Sequence, residues 1–295
     1  MEKKKRVLAA VILLGIPLLA AGTVLAVFFS RAPIVVITDE AFDIAYGARR
    51  IRFARLKTAL AFFRPVKNVN IISGLESEVA VFAINTAAPY PYCVFFPWSF
   101  YRESRNYLED RPDIPVGVFT GRMDVEAQSG DPVFFQTDIQ TDIYRAGRAA
   151  ALLAGGGEVL FMVDDNTTAD LQAIFEAALR AGGHAGAVHY TASDQVPDGG
   201  GAYAAAVILR PPGLLATPGV LFSWVNPAYT PDNVKVIFDD SPWAQVRVAA
   251  SRLFSGDADK KIPSEIRVLR RRLTIKGLKK QLEALSKLNF GAGPV

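Results

Sequence analysis

Thr137–Gly157 reads TDIQTDIYRAGRAAALLAGGG, and the fold turns on how this stretch is understood. Asp142 is a candidate N-cap for a helix over Ile143–Leu153, in which Ile143, Ala146, Gly147 and Ala150 share one face. Side chains this small let a helix lie close on a sheet, and Gly155-Gly156-Gly157 ends it. On either side the pattern changes. Val133–Gln136 before it and Glu158–Val163 after it are short apolar runs rich in β-branched and aromatic residues, the mark of strands. Strand, helix and strand at this spacing form the unit of a parallel sheet.

Outward from this segment the same alternation continues. Further strands are expected at Ile34–Thr38, Val69–Ser73, Val79–Ile84, Tyr92–Phe96, Pro115–Thr120, Ala187–Thr191, Ala204–Leu209, Gly219–Val225 and Val234–Phe238. Their lack of strict alternation suits burial on both faces. Further helices are expected at Ile44–Phe63, Ala169–Ala181 and Trp243–Phe254. Gly199-Gly200-Gly201, after Pro197-Asp198, reads as a surface turn with no Gly-Lys-Ser/Thr continuation of a phosphate loop. Only Asn226–Asn233 separates the last two strands, whereas a parallel crossover normally takes a dozen or more residues; either a helix is missing there or the strand bounds differ.

The N-terminus sets the compartment. Lys3, Lys4, Lys5 and Arg6 precede an uncharged run from Val7 to Phe29, long enough as a helix to cross a hydrocarbon core about 30 Å thick. Basic residues on that flank keep it in the cytoplasm and send the rest of the chain outside, as a single-pass protein of the cytoplasmic membrane. A cleaved signal peptide is the competing reading, with Val24-Leu25-Ala26 as its cleavage site, but the run exceeds the usual signal core. Three regions follow: a basic stub and anchor over 1–30, a main domain over 33–273, and a tail over 274–295.

With 295 residues, 51% hydrophobic and 21% charged, the chain is neither disordered nor too short for one large domain. Its net charge of +4 gathers in Met1–Arg6 and Arg267–Lys287, so it does not suggest a nucleic-acid partner. In the tail Leu278, Leu282 and Leu285 recur at helical spacing, with Lys276, Lys279, Lys280 and Lys287 largely elsewhere around the helix. Such a helix packs on its own domain with its lysines in water, lies on an anionic membrane surface, or docks on a partner. Cys93 is the only cysteine, which excludes an intrachain disulfide, and it reads as a buried small hydrophobe.

Catalytic and metal chemistry find little support. His184 and His189 are the only histidines, neither at metal-ligand spacing, and no G-x-S-x-G elbow is present. No cofactor and no enzyme activity are expected. Acidic pairs at Asp39-Glu40, Asp164-Asp165 and Asp239-Asp240 each follow a strand, where helix capping is the commoner use of such residues. Aromatic rings are more informative. Tyr90, Tyr92, Phe95, Phe96, Trp98, Phe100 and Tyr101 crowd one segment. Trp98 and Trp224 follow apolar strands at the end where α/β sheets bind ligands.

The 137–157 segment resembles the crossing between lobes in type I periplasmic binding proteins and in the ligand-binding cores of lactose-repressor-like regulators. EVLFMVDD followed by ADLQAIFEAALRAGG is similar to that family's entry into the C-terminal lobe, and VKVIFDDSPWAQVRVAASRLFSGD with IPSEIRVLRRRL to its closing section. The resemblance runs from about Pro33 to Leu273 and implies two Rossmann-like lobes with parallel sheets, here behind a membrane helix in place of a DNA-binding domain. It implies a small ligand, a sugar or nucleoside, held between the lobes, with a permease or signalling protein as partner. Carried over by residue, it places Phe42 as a ring against the ligand and Arg122, Asn226 and Asp239 as hydrogen-bonding groups, with Asp138 at the interlobe region. Gly121 departs from the aspartate common in sugar binders, Asp43 from a second aromatic, and Ala169–Leu171 lacks an arginine often found there. A non-catalytic envelope protein that keeps the fold and has lost solute binding is the alternative.

Overall fold

The computed structural model describes residues 2–72, 77–163, 167–192, 203–208, 219–223, 230–256, 260–273 and 277–290. Helix α1 (Glu2–Ser30) leads into β1 (Ile34–Thr38), α2 (Glu40–Tyr46), α3 (Ala48–Phe62), β2 (Val66–Asn70), α4 (Ser77–Ala87), β3 (Cys93–Pro97), α5 (Tyr101–Asp110), β4 (Val116–Gly121) and β5 (Val133–Thr137). The chain then continues through α6 (Ile139–Ala154), β6 (Val159–Val163), α7 (Ala169–Ala181), β7 (Val188–Ala192), β8 (Ala205–Ile208), β9 (Gly219–Phe222) and β10 (Val234–Asp239). It ends in α8 (Pro242–Ser255), β11 (Lys261–Ile262), β12 (Glu265–Val268) and α9 (Leu278–Ala284).

The strands form two six-stranded sheets, in the orders β11-β5-β4-β3-β1-β2 and β12-β10-β9-β8-β6-β7. Pairing is parallel throughout except where β12 runs antiparallel to β10. Residues 137–157 carry the chain from the first lobe to the second. It returns between β10 and α8, whose Trp243, Val246, Ala249 and Ala250 pack on Ile34 and Val36 of β1 in the first lobe. The third crossing links β11 to β12 through Pro263 and Ser264.

Several expectations are corrected by packing. Val79–Ile84 is helical, within α4: Ala80 and Ile84 are buried one turn apart while Val79 and Phe82 face solvent, a pattern of period 3.6. α5 was not anticipated, since its buried face is made by Ser104 and Tyr107. The helix expected over Ile44–Phe63 is two helices, broken at Gly47 with φ 96°. The N-cap of α6 is Asp138, which accepts the Thr141 N–H at 3.1 Å, whereas Asp142 is fully buried inside the helix. Gly147 serves the approach of α7 and not of a sheet: a Cβ there would meet Ala178 of α7 at 2.7 Å and the Phe175 carbonyl at 2.8 Å. β9 and β10 are parallel neighbours, as read, but β9 ends at Phe222 and not Val225, so residues 223–233 join them and the strand bounds differ from those expected.

The tail belongs to the second lobe. Leu278, Leu282 and Leu285 are buried in its core with Ile143, Phe161 and Phe238. Arg145 of α6 completes the docking, its Nε donating to the Leu288 carbonyl at 2.7 Å and an Nη to that of Ser286 at 2.9 Å. A guanidinium at a helix C-terminus satisfies carbonyls that have no partner within the helix. α1 is one unbroken helix, and its described side chains, from Ile16 onward, include exposed Leu18, Leu19, Leu25 and Phe29. Among the described residues no helix is long and apolar enough to cross a membrane.

Candidate ligand cleft

β1, β3 and β4 end side by side, and the loops after them open onto a cleft of about 600 Å³ between the lobes. Phe42 of α2, Trp98 after β3 and Phe119 of β4 supply its rings, and Asp240-Ser241-Pro242 closes it at the second crossing. The position follows from the sheet: in a parallel α/β sheet the carboxyl ends of the strands carry the loops free to bind. Two of the expected site residues, Phe42 and Trp98, therefore stand together. Each ring is braced from behind, Phe42 stacked on Tyr46 with centroids 5.3 Å apart and Trp98 on Tyr101 at 4.8 Å. Braced rings lose little freedom when a ligand arrives.

Arg122 reaches across the cleft mouth. Its Nε lies 3.8 Å from an oxygen of Asp240, and its guanidinium sits over the Phe222 ring at 4.9 Å. Arg122 comes from the first lobe and both partners from the second, so this cation bridges the two walls. Burial raises the pKa of Asp240, against the lowering effect of Arg122. Most other polar groups of the cleft are already committed. Asp39 caps α2 by accepting the Phe42 N–H at 2.6 Å, Ser241 caps α8 through the Ala244 N–H at 3.2 Å, and the Thr120 hydroxyl donates to the Met123 carbonyl.

Asp239 lies elsewhere. Its carboxylate is fully buried behind the cleft, with Oδ2 at 2.7 Å from Arg50, 2.9 Å from Arg267 and 3.2 Å from the Tyr46 hydroxyl, while Oδ1 accepts the Ser241 N–H. Arg50 and Tyr46 come from the first lobe, Asp239 and Arg267 from the second. The cluster ties the lobes together and is not open to a ligand. Tyr46, its pKa pushed up to about 12 by burial and by Asp239, stays a neutral donor. Asp138 is likewise a hinge residue, capping α6 and donating its own N–H to the Ile262 carbonyl. Trp224 and Asn226 lie outside the described residues, as do Asp164 and Asp165.

The hinge has one member that sequence reasoning took for a cap. Asp142 accepts the Ser264 N–H at 2.9 Å and its hydroxyl at 2.5 Å, and burial pushes its pKa up to about 7. Gln245 joins the other two crossings by donating to the Thr137 hydroxyl and the Ile262 carbonyl. The two TDI repeats, 137–139 and 141–143, gave no means of telling cap from latch. Among the described residues no group of three or more His, Cys, Asp or Glu is placed to hold a metal ion.

No protein-family model matches the sequence, and no curated protein sequence matches it. Solved structures match in fold. A solute-binding protein of an ABC transporter system from Conexibacter woesei DSM 14684 superposes with a TM-score of 0.52 at 12% identity, over 87% of this chain and 95% of that one. An arabinose-binding protein from Geobacillus stearothermophilus gives 0.50 at 14% identity, over 81% and 96%. The fold is that of the type I periplasmic binding proteins, as the resemblance of the 137–157 segment implied.

Proposed function

We propose that this protein is a membrane-tethered, extracytoplasmic binding or sensing domain, non-catalytic, that closes two lobes on a small, weakly polar molecule of the sugar or nucleoside class. The cleft carries the reading: two braced rings, Phe42 and Trp98, line a space of about 600 Å³ together with Asp240, which pairs with Arg122 of the first lobe at 3.8 Å. An aromatic platform suits the C–H face of a sugar or the plane of a base, and a guanidinium fork suits hydroxyl oxygens. The tether is supported by Lys3–Arg6 ahead of the uncharged run to Phe29 and by the unbroken helix over Glu2–Ser30. A tethered binder hands its solute, or the fact of its binding, to a neighbour in the same membrane, a permease or a signalling protein.

The commitment of Asp39, Ser241 and Asp239 to capping and ion pairing favours a second reading, an envelope protein that keeps the fold without binding solute. A thermal-shift screen of the full chain against monosaccharides, nucleosides and amino acids separates the two. A ligand at about a hundred times its Kd adds about 2.7 kcal/mol of stability. One chemical class raising the midpoint supports the binding reading; a flat screen on folded protein gives the second.

A further inference from the structure

A second concavity lies apart from the cleft. A groove of about 930 Å³ runs along the back of the hinge, between α3, α8 and the β11–β12 link. Its walls hold Arg49, Arg52 and Lys57 from α3 and Arg247 from α8, with Arg50, Arg145 and Arg267 deeper in, against one acidic residue, Glu265. The deep cations are occupied by Asp239 and by the tail carbonyls. Arg49, Arg52 and Arg247 are exposed and have no ion-pair partner among the described residues. Interleaved with them on α3 is an apolar stripe in water: Phe53 is 60% exposed, Leu56 55% and Leu60 69%, at the i, i+3, i+7 spacing of one helix face. Isolated exposed apolar residues are ordinary, but a helical row of them beside unpaired guanidinia is a complementary surface without its counterpart.

We propose that this groove docks an acidic amphipathic helix of a partner protein. Leucine-type anchors of the partner would pack on Phe53 and Leu56, with carboxylates flanking them set against Arg49, Arg52 and Arg247. Charge selects this occupant. A second copy would bring the same guanidinia face to face, and like charges at contact repel. A bilayer presents a plane, whereas these cations line the sides of a groove. The site touches both lobes and all three guanidinia lie outside the cleft, so the inference stands whether or not a solute binds.

The test uses the full chain in neutral detergent micelles and a labelled 18-residue peptide with leucine at i, i+3 and i+4 positions and glutamate elsewhere. Fluorescence anisotropy is expected to show binding that weakens at least tenfold in the triple variant Arg49→Gln/Arg52→Gln/Arg247→Gln and several-fold in Leu56→Ser, and that falls as salt rises. The lysine counterpart of the peptide is expected not to bind. Unchanged thermal midpoints of the variants establish that they fold. The proposal is overturned if the acidic peptide binds no better than the lysine one, or binds the triple variant as well as the parent chain. It is also overturned if the triple substitution instead abolishes self-association or the uptake of short-chain phosphatidylglycerol.

Discussion

Asp239 and Asp240 are adjacent in the chain, yet one belongs to the hinge and the other to the cleft. Successive side chains of a strand point to opposite faces, so the end of β10 sends the Asp239 carboxylate into Arg50, Arg267 and Tyr46 and turns Asp240 toward Arg122. The hinge around Asp239 is consequently dense with paired charge, and the cleft is lined by rings with one partly exposed ion pair. Stability and binding are thus divided between two neighbouring acids. Substitutions on the two sides should separate cleanly.

Asp239→Ala should have the largest effect, because it leaves two arginines and a tyrosine hydroxyl without their shared acceptor. A loss of about 3–5 kcal/mol is expected by urea denaturation, with any residual ligand affinity following the folded fraction. A small loss would mean the cluster is not what ties the lobes.

Asp142→Asn tests the hinge through pH. Because burial raises the Asp142 pKa from 3.8 to about 7, the folded chain holds a proton that the unfolded chain releases between those values. The stability this group contributes is complete below about pH 4 and is lost as pH rises through about 7. Denaturation at pH 5 and pH 8 should therefore show a fall across that window in the parent protein and a shallower fall in Asp142→Asn. Equal slopes would show that the carboxylate is charged in the fold.

Arg145→Ala should cost about 2 kcal/mol, since the Ser286 and Leu288 carbonyls lose a charged donor. Hydrogen exchange should quicken over 278–290 before anywhere else in the second lobe. The smallest effect on stability is expected on the cleft side. Arg122→Gln removes a partly exposed pair at 3.8 Å and should change stability by under about 1 kcal/mol while weakening ligand binding.

The sequence was most legible where local pattern and tertiary role agree. β1, β6 and α7 lie as read, because a continuous β-branched run or a capped amphipathic stretch leaves one solution. It misled where a short apolar run fits two periods. Val79–Ile84 has strand-like residues, and only the burial of Ala80 and Ile84 against the first-lobe sheet and α5 marks it as helical. Phe42 was carried over from the resemblance and Trp98 was read from its place after an apolar strand, and both line the cleft. Asp239 and Asp240 were read as one acidic pair, and adjacent acids carry no mark of which way each will face: Asp239 pairs with Arg50 and Arg267, Asp240 with Arg122. Tyr46, Arg50 and Arg267 came together only in the fold: Tyr46 and Arg50 lie 193 and 189 residues from Asp239, and Arg267 lies 221 from Tyr46.

The central claim is that the rings of the first lobe form a working ligand platform. Its most direct test is calorimetric titration of the best ligand from the screen into the parent chain and into Phe42→Ala/Trp98→Ala. A loss of at least a hundredfold in affinity, with the urea midpoint nearly unchanged, is the predicted result; affinity within a factor of two of the parent would contradict it.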